Sequence, residues 1–532
     1  MMDIAEARLP LAGLAPTSHA PAGAEPVPAI GPLQWLSGRP GLCYWTVALI
    51  VLGLEAMHAA GGHFLNQTSR DIWQHLASLR ALIADPAHPA NPFIPIEGGS
   101  RHFHPYWVSI AYVARAVGWN EWQALAFAGF VSAGAIAAGI WAFGRAFYRT
   151  PWGPLALLAS VTLGWMIPFS HTGYHSPGTF IEGIAYPAAL LVGLSFLLWA
   201  LVIRALERPR LAAGIVPLAA FMFATHQLGA GIGFMAAGCF ILLWPEGSLK
   251  ARAIVCAAFA AGIALSTAWP YHNPFDAIAR AANQTWSGGI NFYHPLLLVA
   301  AFFPSLFGLW GLRHPRFART GLPVLAAFIL FAGIFALGWF GILIATRFVM
   351  PAVVMLHIGL GALILALFRD WRRLSKPAQL GLFAVALFSI STFAALTRSQ
   401  LMGEQLTADR EGNSYDSVLA LTRDIPDLQP VAGYDMSAWP IVATGQRVVS
   451  VPWPEPMIDD LAERQAAIER LFDPALSREQ RLGLARHWGA RTLIIDKRGP
   501  LRRRMPSGIV ATLKAQSLRY SEAGEFIRFD LE

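Results

Sequence analysis

Residues 185–210 read AYPAALLVGLSFLLWALVIRALERPR. No charged residue occurs between Ala185 and Ile203, and Arg204, Arg208 and Arg210 then follow closely. An apolar run of about 18 or more residues fits the hydrocarbon core of a bilayer as one helix. A helix suits that medium because it pairs its backbone N–H and C=O groups internally. Lys and Arg in short loops are retained on the cytoplasmic side. The stretch therefore reads as a membrane span whose C-terminal end faces the cytoplasm.

The pattern repeats outward in both directions. Spans are predicted at 41–60, 122–143, 152–168, 185–203, 211–226, 228–244, 252–270, 294–312, 321–338, 348–368 and 378–397, eleven in all. With the N-terminus inside, the inner loops hold Arg145 and Arg149, the 204–210 arginines, Lys250 and Arg252, then Arg313, Arg316 and Arg319, and finally Arg369, Arg372, Arg373 and Lys376. Segment 105–118 is too short to span and carries Arg115, so it reads as a juxtamembrane helix. An odd number of spans leaves the C-terminus outside.

The chain of 532 residues is 55% hydrophobic and only 14% charged, which places it among polytopic membrane proteins. Its net charge of +8 does not imply nucleic acid. Residues 1–400 carry 23 basic against 13 acidic residues, and residues 401–532 carry 17 against 19, so the excess sits in the inner loops. Cys43, Cys239 and Cys256 fall within spans and build no disulfide framework. Residues 1–40, rich in Ala, Pro and Gly, read as a disordered cytoplasmic tail and not as a cleavable signal. Usage rich in Ala, Arg and Pro suggests a GC-rich bacterium, which would make the membrane the inner one and the outer side periplasmic.

Two external segments are long. Residues 61–121 are predicted to hold helices at 69–83 and 104–117, separated by the proline-rich connector 85–95. Residues 399–532 turn to soluble composition. Helices are expected at 414–424, 437–444, 457–472 and 477–488, with strands at 430–434, 447–451 and 491–496, giving a small α/β domain with a largely parallel sheet.

Eleven of the fifteen histidines fall on external loops or outer span ends, among them His75, His102, His104, His226 and His272. Imidazole there can act as base, metal ligand or hydrogen-bond partner, or simply suit a wet aromatic interface. Glu55, inside the first span, is a functional candidate because a carboxylate in a bilayer is costly; an internal ion pair is its structural alternative. Asp71 and His75 are four apart and share a helix face. Together they could deprotonate a hydroxyl or hold a divalent metal (Mg or Mn). Thr68-Ser69-Arg70-Asp71 also fits a helix-capping pattern. Arg347, at the outer end of the tenth span, suits a phosphate headgroup or snorkels to the interface. Glu182 completes the external carboxylates of interest. Gly229-Ala230-Gly231-Ile232-Gly233 reads as close helix packing and not as a phosphate loop.

Several short motifs accompany this layout: Asp71-Ile72-Trp73-Gln74-His75, Asn91-Pro92-Phe93, His104-Pro105-Tyr106, Arg347-Phe348-Val349-Met350-Pro351, Val431-Ala432-Gly433-Tyr434-Asp435 and His487-Trp488-Gly489-Ala490-Arg491-Thr492. Layout and motifs together resemble the GT-C superfamily of polytopic glycosyltransferases, like the mannosyl-, aminoarabinosyl- and arabinofuranosyltransferases. The resemblance covers most of residues 41–532. It implies a transmembrane GT-C-like module (41–398) and an external domain (399–532). It also implies a polyprenyl-phosphate sugar donor and an early-loop acid serving as base or metal holder, which falls on Asp71. Many relatives carry an Asp-Glu pair close to the first span, whereas here Ile72 follows Asp71 and the acid lies beyond the span end.

The leading expectation is a membrane glycosyltransferase acting at the external face on a glycan, lipid or protein acceptor. Asp71 and His75 would serve catalysis, or a metal where one is present. Arg347, Glu55, His102, His104, Glu182 and His226 would serve donor or substrate binding. No cofactor is otherwise expected. A lipid-linked glycan flippase and a non-catalytic scaffold or sensor are the alternatives.

Overall fold

The computed structural model describes residues 38–60, 71–97, 99–165, 183–282, 302–373, 414–426, 429–452, 455–497 and 505–532, with short pieces between 375 and 395. Among the described residues, six helices are long and apolar enough to cross a membrane: Pro40–Met57, Glu121–Tyr148, Pro187–Glu207, Leu249–Ser266, Leu322–Phe340 and Ile344–Asp370. Shorter apolar helices cover Gly153–Leu163, Pro209–Thr225 and Gln227–Leu243. The chain is a multi-pass membrane protein. Of the expected span 294–312, the described part is two short helices, Phe303–Leu306 and Gly308–Arg313. Most of the expected span 378–397 lies outside the described residues.

Pro187–Glu207 and Ile344–Asp370 are central, each with 78% of its apolar window buried, against 28% for Pro40–Met57 at the periphery. The peripheral helix turns Leu49, Ile50 and Leu54 outward, as a lipid-facing surface requires. Small residues allow the central crossings. A Cβ on Gly139 would lie 2.1 Å from the Gly193 carbonyl oxygen, so Glu121–Tyr148 and Pro187–Glu207 touch backbone to backbone. In the glycine run, a Cβ at Gly233 would meet Ser195 Oγ at 2.7 Å, while at Gly231 it would meet open space.

The bundle has two chemically distinct ends. At one, Arg149 pairs with Glu207 at 2.8 Å and Glu246 at 2.9 Å, drawing three basic loops together. The other end begins at Tyr186, just before the Pro187–Glu207 helix whose far end is Glu207. That helix has 21 residues, so the two ends stand roughly 30 Å apart, the thickness of a hydrocarbon core.

At the Tyr186 end lie the helices Asp71–Ala84 and Pro105–Val117. Their packing explains Arg115, which donates from Nη1 to the carbonyls of Ala84 (2.5 Å) and Ile83 (3.3 Å) at the C-terminus of the first helix. Arg80 pairs with Glu121 and donates to Tyr415 Oη at 3.1 Å, tying this region to the C-terminal domain.

The C-terminal sheet departs from the expected parallel arrangement. Its four strands, β1 (Val431–Gly433), β2 (Thr492–Asp496), β3 (Arg519–Ala523) and β4 (Phe526–Asp530), lie in the order β1-β2-β4-β3. Only β1 and β2 are parallel; β4 pairs antiparallel with both β2 and β3. The reason is a C-terminal hairpin closed at Gly524-Glu525, with Gly524 at φ +53°, a conformation that favours glycine. The expected strand 447–451 reduces to a single bridge between Val448 and Val431. The Val448 N–H instead donates to the Phe93 carbonyl at 2.8 Å, across to the first long loop.

Candidate functional site

The Asp71–Ala84 helix is buried along its first two turns, with Ile72, Leu76 and Leu79 fully inside. Asp71 opens this helix; its side chain and the capping stretch 68–70 lie outside the described residues. His75, one turn on, is buried and packs its ring 4.6 Å from Tyr186, 5.3 Å from Trp107 and 5.7 Å from His102. The Trp107 indole Nε1 donates to His75 Nδ1 at 3.1 Å. A ring that accepts at Nδ1 is neutral and carries its proton on Nε2.

The second helix brings two more imidazoles. His104 is its N-cap, accepting from the Trp107 N–H through Nδ1 at 3.3 Å, with Pro105 at the first helical position. This use of one nitrogen leaves His104 Nε2 buried without a hydrogen-bond partner among the described residues. His102 is buried two residues earlier, edge-on to Phe93 at 5.4 Å, and its Nε2 also lacks a hydrogen bond. His272 is buried, and neither ring nitrogen has a hydrogen-bond partner among the described residues. His226 sits between the helices ending at Thr225 and beginning at Gln227, outside both, and its Nδ1 accepts from the Gly229 N–H at 2.9 Å.

These five rings share one electrostatic environment. Burial, followed by His226 and Arg101, pulls the His75 pKa down to about 3. Burial, then Arg347 and Arg101, takes His226 to about 4, and burial alone takes His272 to about 4. His102 and His104 are held well below the usual imidazole range by burial and by neighbouring positive or protonatable groups. The cluster is therefore neutral near pH 7, and each ring offers one donor and one acceptor.

Of the sequence candidates, the structure brings His75, His102, His104 and His226 together, with Arg347 close enough to disfavour protonation of His226. Arg347 is half-buried in the turn before the Val349–Asp370 helix. Glu55 is buried in the first span with Oε2 unbonded, and no described contact joins it to the cluster. Glu182 lies outside the described residues. Glu121 is taken up by Arg80. Among the described residues, no three His, Cys, Asp or Glu side chains converge to hold a metal.

Three contributors escaped sequence reasoning. Arg101 and Glu455 approach at 3.2 Å between Nε and Oε2, and Trp107 sets the His75 tautomer. Glu455 left only a faint signal, an acid set between Pro454 and Pro456.

Beside the cluster, an apolar groove of about 400 Å³ runs between the Pro105–Val117 helix and the bundle. Tyr106, Ile110, Val131, Leu194 and Phe221 line it, with Tyr106 following directly on His104-Pro105.

No protein-family model matches the chain, and no curated relative does. Among solved structures, the chain is similar to ArnT from Cupriavidus metallidurans, determined bound to undecaprenyl phosphate. Identity is 14%, covering 94% of this chain and 98% of that one, with a TM-score of 0.55. The oligosaccharyltransferase AglB from Archaeoglobus fulgidus is more distant, at 12% identity over 84% of this chain and 69% of that one, with a TM-score of 0.49. The polypeptide shares the fold of this ArnT over nearly the whole length of both chains.

Proposed function

From this GT-C fold we propose that the protein transfers a sugar from a polyprenyl-phosphate donor to an acceptor hydroxyl at the histidine end of the bundle. The observation that carries the reading is the set of five buried, neutral histidines gathered around the helix that Asp71 opens. Neutral imidazoles match hydroxyl groups, which also both donate and accept.

In this scheme the Asp71 carboxylate takes the proton from the acceptor hydroxyl as its oxygen attacks the anomeric carbon. The bond from that carbon to the phosphate oxygen breaks, its electron pair stays on the departing polyprenyl phosphate, and the Arg347 guanidinium balances the charge. His75, fixed by Trp107, orients Asp71 from the same helix face. The apolar groove suits a prenyl chain entering from the lipid. The fold neighbour bound to undecaprenyl phosphate supports this donor class. A divalent metal on Asp71 and His75 is no part of the scheme.

The histidine end is proposed to face the periplasm, with the N-terminus in the cytoplasm. Reporter fusions after Gly403 and after residue 148 are expected to report opposite compartments; two cytoplasmic signals would reject this orientation. The activity is tested by incubating purified protein with labelled polyprenyl-phosphate sugars and acceptor extracts, beside glycolipid profiling of a deletion strain. Release of polyprenyl phosphate coupled to a newly glycosylated product is expected. An unchanged glycan profile together with an inert purified protein would reject the reading.

A further inference from the structure

The C-terminal domain sends one carboxylate into the histidine cluster. Glu455 is only 2% exposed. Its Oε2 lies 3.2 Å from Arg101 Nε and 3.7 Å from His102 Nε2, while its Oε1 has no hydrogen-bond partner among the described residues. Arg101 and His102 belong to the first long loop, more than three hundred residues earlier in the chain.

Docking of the two regions does not require this acid. The Val448 N–H donates to the Phe93 carbonyl, and Arg447 Nη1 donates to the Pro92 carbonyl at 3.0 Å. Trp439 packs edge-on against Phe93 at 5.5 Å, and the domain also reaches the separate helix Pro274–Ala282, where Arg280 pairs with Asp459. An apolar residue at 455 would join such an interface at lower cost, because burying a carboxylate carries a desolvation penalty that one ion pair often fails to repay. Burial holds the Glu455 carboxyl above its usual range, and the Arg101 charge together with the backbone N–H groups of Met457 and Arg101 offsets only part of that. A buried acid whose Oε1 has no hydrogen-bond partner among the described residues, set beside the His102 ring, calls for an explanation other than adhesion.

We propose that Glu455 is a positioning residue of the transfer site, orienting the Arg101 guanidinium and the His102 ring from the opposite domain. The inference rests on the glycosyl-transfer reading. Arg101 is 30% exposed at its side chain, and a carboxylate 3.2 Å from its Nε, an ion-pair contact without hydrogen-bond geometry, leaves the two Nη groups to meet the oxygen-rich end of the substrate. The C-terminal domain then completes the site, and substrate chemistry depends on a contact between chain segments that no single domain contains.

The test compares Glu455→Gln, Glu455→Asp and Asp459→Ala in the full-length protein, measuring kcat, donor and acceptor KM, and melting temperature. Glu455→Gln is expected to lower kcat about tenfold or more, the scale of one charge-assisted hydrogen bond, at an unchanged melting temperature. Glu455→Asp is expected to recover part of that loss, and Asp459→Ala, which removes the pair with Arg280, to leave kcat unchanged. Arg101→Lys is the second probe: it keeps the charge, loses the planar fork, and is expected to be non-additive with Glu455→Gln. Wild-type kcat in Glu455→Gln, or parallel losses of kcat and melting temperature in Glu455→Gln and Asp459→Ala, would overturn the positioning role alone. A wild-type protein that moves no sugar would overturn the functional reading and this role with it.

Discussion

The two ends of the bundle use charge in opposite ways. At the arginine end, Arg149 meets Glu207 and Glu246, and all three side chains are a third to a half exposed. Each charge has a partner and water besides, so such pairs add little stability. At the histidine end, His102, His104 and His272 are buried with ring nitrogens, and Glu455 with one oxygen, that have no hydrogen-bond partner among the described residues. An unmade hydrogen bond in a buried site costs about 1–3 kcal/mol. Exposed ion pairs at one end and buried polar groups short of protein partners at the other make the histidine end the better place to look for chemistry.

The contrast breaks most sharply at Asp71. Asp71→Asn is expected to reduce transfer at least about a hundredfold, the scale of a lost general base, with normal expression. Asn caps a helix as well as Asp does, so turnover close to wild type would leave Asp71 a capping residue and move the search to Glu55 and Glu182.

Arg347→Ala tests whether the histidine end holds phosphate. Losing one charged hydrogen bond predicts a roughly ten- to hundredfold weaker apparent donor affinity, read as a rise in donor KM with the protein still inserted. Unchanged donor dependence would assign Arg347 to snorkelling at the interface.

Acid should separate the two ends as well. His75, His226 and His272 titrate near 3 to 4 when folded, against an ordinary imidazole value of 6.5. Between those values the unfolded chain binds more protons than the folded one, so stability is full above about 6.5 and declines as pH falls toward 4. Glu455, shifted upward, acts in the opposite sense but is one group against several. A melting temperature in detergent that falls from pH 7 to pH 5 is expected. In the His75→Ala, His226→Ala double variant the fall should shrink; a flat profile in the parent protein would contradict neutral burial of the cluster.

The smallest effect belongs to the arginine end. Arg149→Ala should change stability by less than about 1 kcal/mol and leave transfer untouched, because its two ion pairs are solvent-screened. A large loss of activity would mean that this end takes part in function.

Legibility in the sequence followed the range of the interactions. Apolar length and the placement of Arg and Lys are local or additive properties, and from them the helical membrane module and a separate short helix at Pro105–Val117 could be read. His75, His102, His104 and His226 could be named because imidazole is scarce and its placement uneven. The mixed sheet could not, because pairing of β4 between β2 and β3 depends on a hairpin whose register is settled only when its strands meet. Nor could the Trp107–His75 bond or the approach of Glu455 to Arg101, each made by residues far apart in the chain. By itself, then, the amino-acid order determined a multi-pass helical protein with its histidines drawn toward one end. Only tertiary structure decided which of those rings are buried, which nitrogens are left unbonded and which distant carboxylate reaches them. Burial and hydrogen-bond satisfaction belong to the packed molecule, since desolvation is set by every neighbour at once.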